Sequence, residues 1–296
     1  MIEEPLNGLN AWVSYLSVCD IPMLQYTQIE LSRCQSEIDE ISIDNISDIL
    51  YHDALAILRL SRHAQHITPR HLQNEVTTVS KCLMISGLLP SIRILTKSTS
   101  LDQHYLKNSF STTHANELLQ RAYLAGSCAQ ALADRRNDID SHEVRTAAVL
   151  HDVAELLIAC YAPKVLHRVH ELQTNDRMLR SKVAQKRVFG ITFQELEMAL
   201  IEEWRLPRIL QQLIDSSNEA NPRVRTVRWA TNAARHLSTA WNDAALPDDY
   251  KEGADIANIS PESCADMTRH TALQTAKDWR WYNVRPPAST LLQYPA

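Results

Sequence analysis

The chain has little glycine: five residues in 296. Gly-rich phosphate loops need several glycines in close register, and neither GxGxxG nor GxxxxGK[ST] occurs. The same scarcity disfavours a doubly wound sheet. Runs of alternating Val, Ile and Thr are missing too, so the reading is an all-α protein. More than about 60% helix is expected, against a globular base rate of roughly one third. The six cysteines, Cys19, Cys34, Cys82, Cys128, Cys160 and Cys264, are scattered without a CxxC pair. Cys82, Cys128 and Cys160 fall in apolar helical patterns, which suits buried thiols in a reducing compartment and not a disulfide framework. No apolar run reaches the length of a membrane span, and the N-terminal MIEEPLNGLN is acidic, unlike a signal peptide. A cytoplasmic protein with no membrane contact is expected. The formal net charge of -5 argues against general nucleic-acid binding.

What is present reads as a succession of helices. The first spans about 25–40, after an entry in which Pro22 pushes Ile21 out of helical space. Asp44 can cap the next, whose stripe is Ile46, Ile49, Leu50, Ala54, Ile57 and Leu58. Val76, Val79, Leu83 and Met84 repeat the pattern until Gly87 and Pro90, and Pro90 can open the following helix. A polar stretch at 98–113 is the best candidate for a subdomain junction. It divides the chain into an N-terminal helical part, 1–105, a helical core, 106–285, and a flexible tail, 286–296. Beyond the junction, 117–135 is a helix whose small residues Ala122, Ala125, Gly126, Ser127 and Ala129 permit close approach. Thr192 and Glu195 form a capping box for a helix ending near Trp204. Further helices are expected from Leu206-Pro207 to Ile214, over 224–241 and over 264–281. Residues 243–266 read as acidic and loop-rich.

The sequence is organised around DSHEVRTAAVLHDVAELLIACYA, residues 140–162. It reads as one helix whose start Asp140, or Ser141 beside it, can cap, with Glu143 three residues after Asp140 as in a capping box. The segment is apolar on almost every side, so it belongs inside the protein. His151 and Asp152 sit in its middle, with Glu155 one turn later. Burying such groups costs several kcal/mol unless each finds a partner.

Four stretches resemble the HDOD family of bacterial output domains. Residues 46–64 (ISDILYHDALAILRLSRHA) resemble its Asp-Pro-Ala-Leu helix, and residues 76–95 its Ala-Ile-x-x-Leu-Gly helix. TAAVLHDVAELLI, 146–158, resembles its Leu-Leu-His-Asp-Ile-Gly core. GITFQELEMALIEEWRLP, 190–207, resembles its Gly-x-x-His…Trp-x-Leu-Pro segment. The family's Pro is Ala54 here, its Asn-Ser pair is Arg62-His63, its Gly-x-x-His histidine is Phe193, and its later His-His pair is Ser216-Ser217. The resemblance implies an N-terminal helical subdomain packed on a helical core related to HD phosphohydrolases. Those enzymes hold a divalent metal with a first His, the His-Asp pair and a later Asp. The first His falls on Arg121, a cation that would repel a metal. What remains is a degenerate site of His151, Asp152, Glu155 and Arg121, with Glu155 expected to meet Arg121 or solvent. No catalytic residue, metal or cofactor is expected. The implied function is a non-catalytic signalling module that binds a protein partner or small ligand. The alternative is a divergent phosphohydrolase acting on a nucleotide or cyclic dinucleotide.

Three further features have ordinary explanations. His63-x-x-His66 and His167-x-x-His170 have ligand spacing on a helix but no third ligand in the pattern, so they read as surface histidines. The basic stretch 164–187 offers Arg180, Lys182, Lys186 and Arg187 as an anion or partner surface, or is a solvated face balancing the acidic run from Glu30 to Asp53. Trp204, Trp229 and Trp241 read as core.

Overall fold

The computed structural model describes residues 1–37, 40–106, 112–176, 178–215, 217–218 and 220–291. Helix makes up 73% of it, with no strand; among the described residues the extended pairing is an isolated parallel bridge between Met23 and Ser100. The N-terminal helices are Leu9–Leu16 (α1), Gln25–Ser36 (α2), Ile43–Tyr51 (α3), Ala54–Ile67 (α4), Val79–Ser86 (α5), Leu88–Thr96 (α6) and Leu101–Leu106 (α7). Thr113–Arg135 (α8), Ser141–Leu150 (α9), Val153–Tyr161 (α10), Pro163–Asn175 (α11), Ser181–Phe189 (α12) and Phe193–Glu203 (α13) follow. Arg208–Ile214 (α14), Pro222–Thr239 (α15), Leu246–Ala257 (α16) and Pro261–Ala276 (α17) complete the set.

Local chemistry sets the helix starts. Ser42, not Asp44, caps α3: its hydroxyl accepts from Asn45 N–H, and the Asn45 side chain returns the bond. Asp53 caps α4 and also accepts from Leu24 N–H at 2.7 Å, so one buried carboxylate staples the extended entry to the helix. Thr192 and Glu195 form the expected capping box. Asp140 caps α9, but Glu143 does not return the bond. Its carboxylate turns instead to Arg223 at 2.9 Å, Thr77 at 2.5 Å and Lys81 at 3.4 Å, tying α9 to α15 and α5.

The long α8 packs on α9 and α15, and α16 and α17 close over it. Gly126 makes the first contact possible: a Cβ there would lie 2.3 Å from Val149 Cγ2. One contiguous cluster of buried side chains runs from Trp12 to Ala288. Trp229 is fully buried within it, Trp204 is buried, and Trp241 packs against its edge. Among the described residues no single helix is long and apolar enough to cross a membrane.

The structure departs from the sequence reading in several places. Residues 9–16 form a helix with Trp12 and Leu16 buried. Residues 246–257, expected within a loop-rich stretch, form α16, because Leu246, Tyr250, Ala254, Ile256 and Ala257 recur on one buried face. Pro90 lies inside the first turn of α6 and does not open it. Where a loose tail was expected from residue 286, Pro287–Leu291 forms a 3-10 turn with Ala288 and Ser289 buried. The junction at 98–113 falls partly on 107–111, and Ser216 of the Ser216-Ser217 pair also lies outside the described residues.

Candidate functional site

The segment 140–162 is two helices and not one. The chain breaks at His151-Asp152, between the end of α9 and the start of α10. Asp152 has φ -110° and ψ 23°, and its side chain caps nothing on α10. Its carboxylate is drawn elsewhere. Arg121 Nη2, from α8, donates to Asp152 Oδ2 at 2.9 Å and to Glu155 Oε2 at 2.8 Å. His151 Nδ1 lies 2.9 Å from Asp152 Oδ1. From α15, Arg235 Nη2 lies 3.4 Å from Asp152 Oδ2. The start of α10 is capped across the fold: Ala154 N–H donates to Glu197 Oε2 of α13 at 2.7 Å. A helix start left uncapped by its own chain needs such a partner, because its first N–H groups have none inside the helix.

The charges are strongly perturbed. Burial alone would raise Asp152, but the Arg121 guanidinium and the His151 contact outweigh it and hold the carboxyl well below the ordinary 3.8. Burial would likewise lower Arg121, and Glu155 with Asp152 reverses that and raises it. Glu197 goes the other way. It is buried, with its Oε1 unpartnered among the described residues, and desolvation lifts it well above 4.5 despite the Ala154 bond. Two acids on facing elements are thus pushed in opposite directions, Asp152 down and Glu197 up.

These residues line a cleft of about 480 Å³ with Arg228, Thr231, Asn232 and Arg235 of α15 and with Lys182 of α12. In this cleft α15 contributes cations and neutral polar groups but no carboxylate. The HD arrangement of metal ligands is therefore not reproduced. Arg121 reaches Asp152 and Glu155 from α8, and with its guanidinium there the residues present do not fit a divalent cation on Asp152.

The other sequence candidates disperse. Of Arg180, Lys182, Lys186 and Arg187, only Lys182 lines the cleft. Lys182 and Lys186 meet Gln194 and Glu195 of α13, and with Arg187 they border a separate groove. The acidic run from Glu30 to Asp53 does not balance the basic stretch among the described ion pairs. Instead Lys164 pairs with Glu3, and Arg168 with Glu4 at 2.7 Å. His63 and His66 line a different cavity with Arg59, Arg62 and Arg205. His167 is exposed, but His170 is not the surface residue expected. It is half-buried against His114 of α8, ring centroids 4.7 Å apart and edge to face. Burial, with His114 alongside, lowers His170 below the ordinary imidazole value. Sequence reasoning missed His114, Glu197 and Arg235. Each reaches the site from a helix remote in sequence, and no local pattern marks it.

Comparison with known proteins agrees with this architecture. The HDOD domain family model matches residues 21–220. The MmoQ response regulator from Methylococcus capsulatus str. Bath superposes with a TM-score of 0.64 at 16% identity, covering 85% of this chain and 99% of that one. A virulence factor from Campylobacter jejuni subsp. jejuni gives 0.63 at 17%, covering 89% and 99%. An HDOD domain protein of unknown function from Geobacter sulfurreducens gives 0.51 at 15%, covering 93% and 97%. At these identities the likeness is one of fold. A search of curated proteins found no match to the chain.

Proposed function

Because the chain belongs to the HDOD family, and because an arginine occupies the place where HD phosphohydrolases bind metal, we propose that it is a non-catalytic signalling module. It works by binding a protein partner or a small ligand. The observation that carries this reading is the Arg121 guanidinium on Asp152 and Glu155. Two unit charges 4 Å apart interact by about 4 kcal/mol at an effective dielectric of 20, so a dication on Asp152 would meet about 8 kcal/mol of repulsion. His151 adds one imidazole, and α15 adds no carboxylate to offset that cost. This argues against water activation through a metal on Asp152.

The description of one similar structure as a response regulator supports a signalling role. The cleft supports binding. Lys182 and Arg235 stand at its wall, and Arg235 is half exposed and only loosely held at 3.4 Å from Asp152. An acidic group on a ligand or partner can recruit it, because guanidinium presents fixed donors to carboxylate or phosphate.

A hydrolysis panel tests the proposal: nucleotides, cyclic dinucleotides and bis(p-nitrophenyl) phosphate with added Mn²⁺. The expected result is no turnover above the buffer rate. Metal-dependent turnover that disappears in Asp152→Asn would overturn it in favour of a phosphohydrolase.

A further inference from the structure

The histidines that the His-Asp turn does not use carry the next step. His114 on α8, Glu155 on α10 and His170 on α11 each present one ligand atom, and the three atoms lie within 4.8 Å of one another. We propose that His114, Glu155 and His170 form a binding site for a divalent transition metal of the zinc class, at the wall of the cleft and with ligands other than His151 and Asp152.

The state of each donor supports the site. His114 Nδ1 faces Glu117 Oε2 at 3.5 Å, while its Nε2 is buried with no hydrogen-bond partner among the described residues. A carboxylate on one ring nitrogen is the usual support for an imidazole that ligates through the other, because it fixes the tautomer and the ring orientation. It also gives a reason for a buried polar atom that is otherwise a pure cost. Glu155 gives Oε2 to Arg121, and its Oε1 accepts no hydrogen bond among the described residues. His170 meets His114 edge to face, so the two rings converge from different helices.

Metal–nitrogen bonds of about 2.0–2.1 Å in a tetrahedron put ligand atoms roughly 3.4 Å apart. The three donors therefore close on a metal by side-chain adjustment of about an ångström. Two imidazoles and one carboxylate suit zinc and its transition-metal neighbours, not magnesium or calcium, which favour oxygen ligands. The set supplies three ligands. A fourth position stays open to water or to an acidic group of a bound ligand, as in sites that exchange a ligand. Arg121 stands near this site too, but here two imidazoles and a carboxylate converge, where Asp152 has one imidazole. The site would also join α8, α10 and α11 through one ion.

The test uses the full chain, stripped with EDTA and dialysed. Zinc titration by calorimetry should give one ion per chain, and Co²⁺ should give visible ligand-field bands of a low-coordinate site. His114→Ala and His170→Ala should each weaken zinc at least tenfold, and His151→Ala should leave it unchanged. Circular dichroism checks that each variant folds. The wild-type cobalt spectrum decides independently of them, and its absence overturns the proposal. So does zinc affinity unchanged in both folded variants, or lost in His151→Ala. None of these readouts depends on phosphoester hydrolysis, so the site and the non-catalytic reading fail separately.

Discussion

At the residue scale the Arg121–Asp152 pair dominates. Each partner is half-buried and keeps other contacts, Arg121 with Glu155 and Asp152 with His151 and Arg235, so the pair sits at the centre of a small network. Removing one leaves the other short of its main partner, at a cost of about 1–3 kcal/mol. Asp152→Ala should therefore lower the melting temperature by several degrees in a thermal scan. An unchanged melting temperature would contradict the pairing. The acid side gives a second readout of the same pair. The folded Asp152 is held below the ordinary 3.8, so its contribution is present above that pH and lost as pH falls through the folded value. In Arg121→Met the buried carboxyl loses what lowers it, and acid unfolding should begin at higher pH than in wild type. Much of this was legible. TAAVLHDVAELLI marked the turn, the resemblance brought Arg121 to it, and a half-buried Glu155 needed a cation. Arg235 was not legible, because its reach to Asp152 depends on how α15 lies across the cleft.

At the scale of elements, the break between α9 and α10 is the decisive feature. An unbroken apolar pattern reads as a single helix, since periodicity cannot register a polar pair whose partners are tertiary. Glu197 replaces the missing cap by accepting from Ala154 N–H. Desolvation raises Glu197 well above 4.5, so its protonated form is the one that suits the fold. A raised folded value contributes stability fully present below the unfolded pKa and lost as pH rises through the folded one. Wild type should thus lose stability as pH rises above the ordinary carboxylate value of 4.5, by an increment that Glu197→Gln abolishes. Denaturant titrations of both proteins across that range check this. An equal slope in both would mean that Glu197 does not titrate there. Elsewhere, capping chemistry was legible where a side chain of the same segment did the work, as at Thr192. It failed at α3, where Ser42 takes the cap expected of Asp44. The α16 helix escaped because Pro247, Asp248, Asp249 and Gly253 obscure a stripe that only burial reveals.

At the scale of the whole molecule, segments on both sides of the family match at 21–220 are part of the fold. Trp12 is buried against Phe189, with ring centroids 5.4 Å apart, and α1 packs on α13. Ile2 N–H donates to Tyr161 O at 2.7 Å, and Glu3 and Glu4 hold Lys164 and Arg168. On the other side, α15 supplies a wall of the cleft and packs along α8. The basic stretch, read as one feature in the sequence, is divided by this packing. Its first part is neutralised by the N-terminal acids, and Lys182 reaches the cleft. Such a division follows from the assembled fold and leaves no trace in local composition.

The central claim is that Arg121 holds the position a catalytic metal would need. Anomalous diffraction at the manganese edge, from crystals of the full chain grown in Mn²⁺, tests it most directly. The account predicts no manganese bonded to Asp152 and the Arg121 guanidinium still on the Asp152 and Glu155 carboxylates. Manganese ligated by His151 and Asp152, with Arg121 swung away, would contradict it.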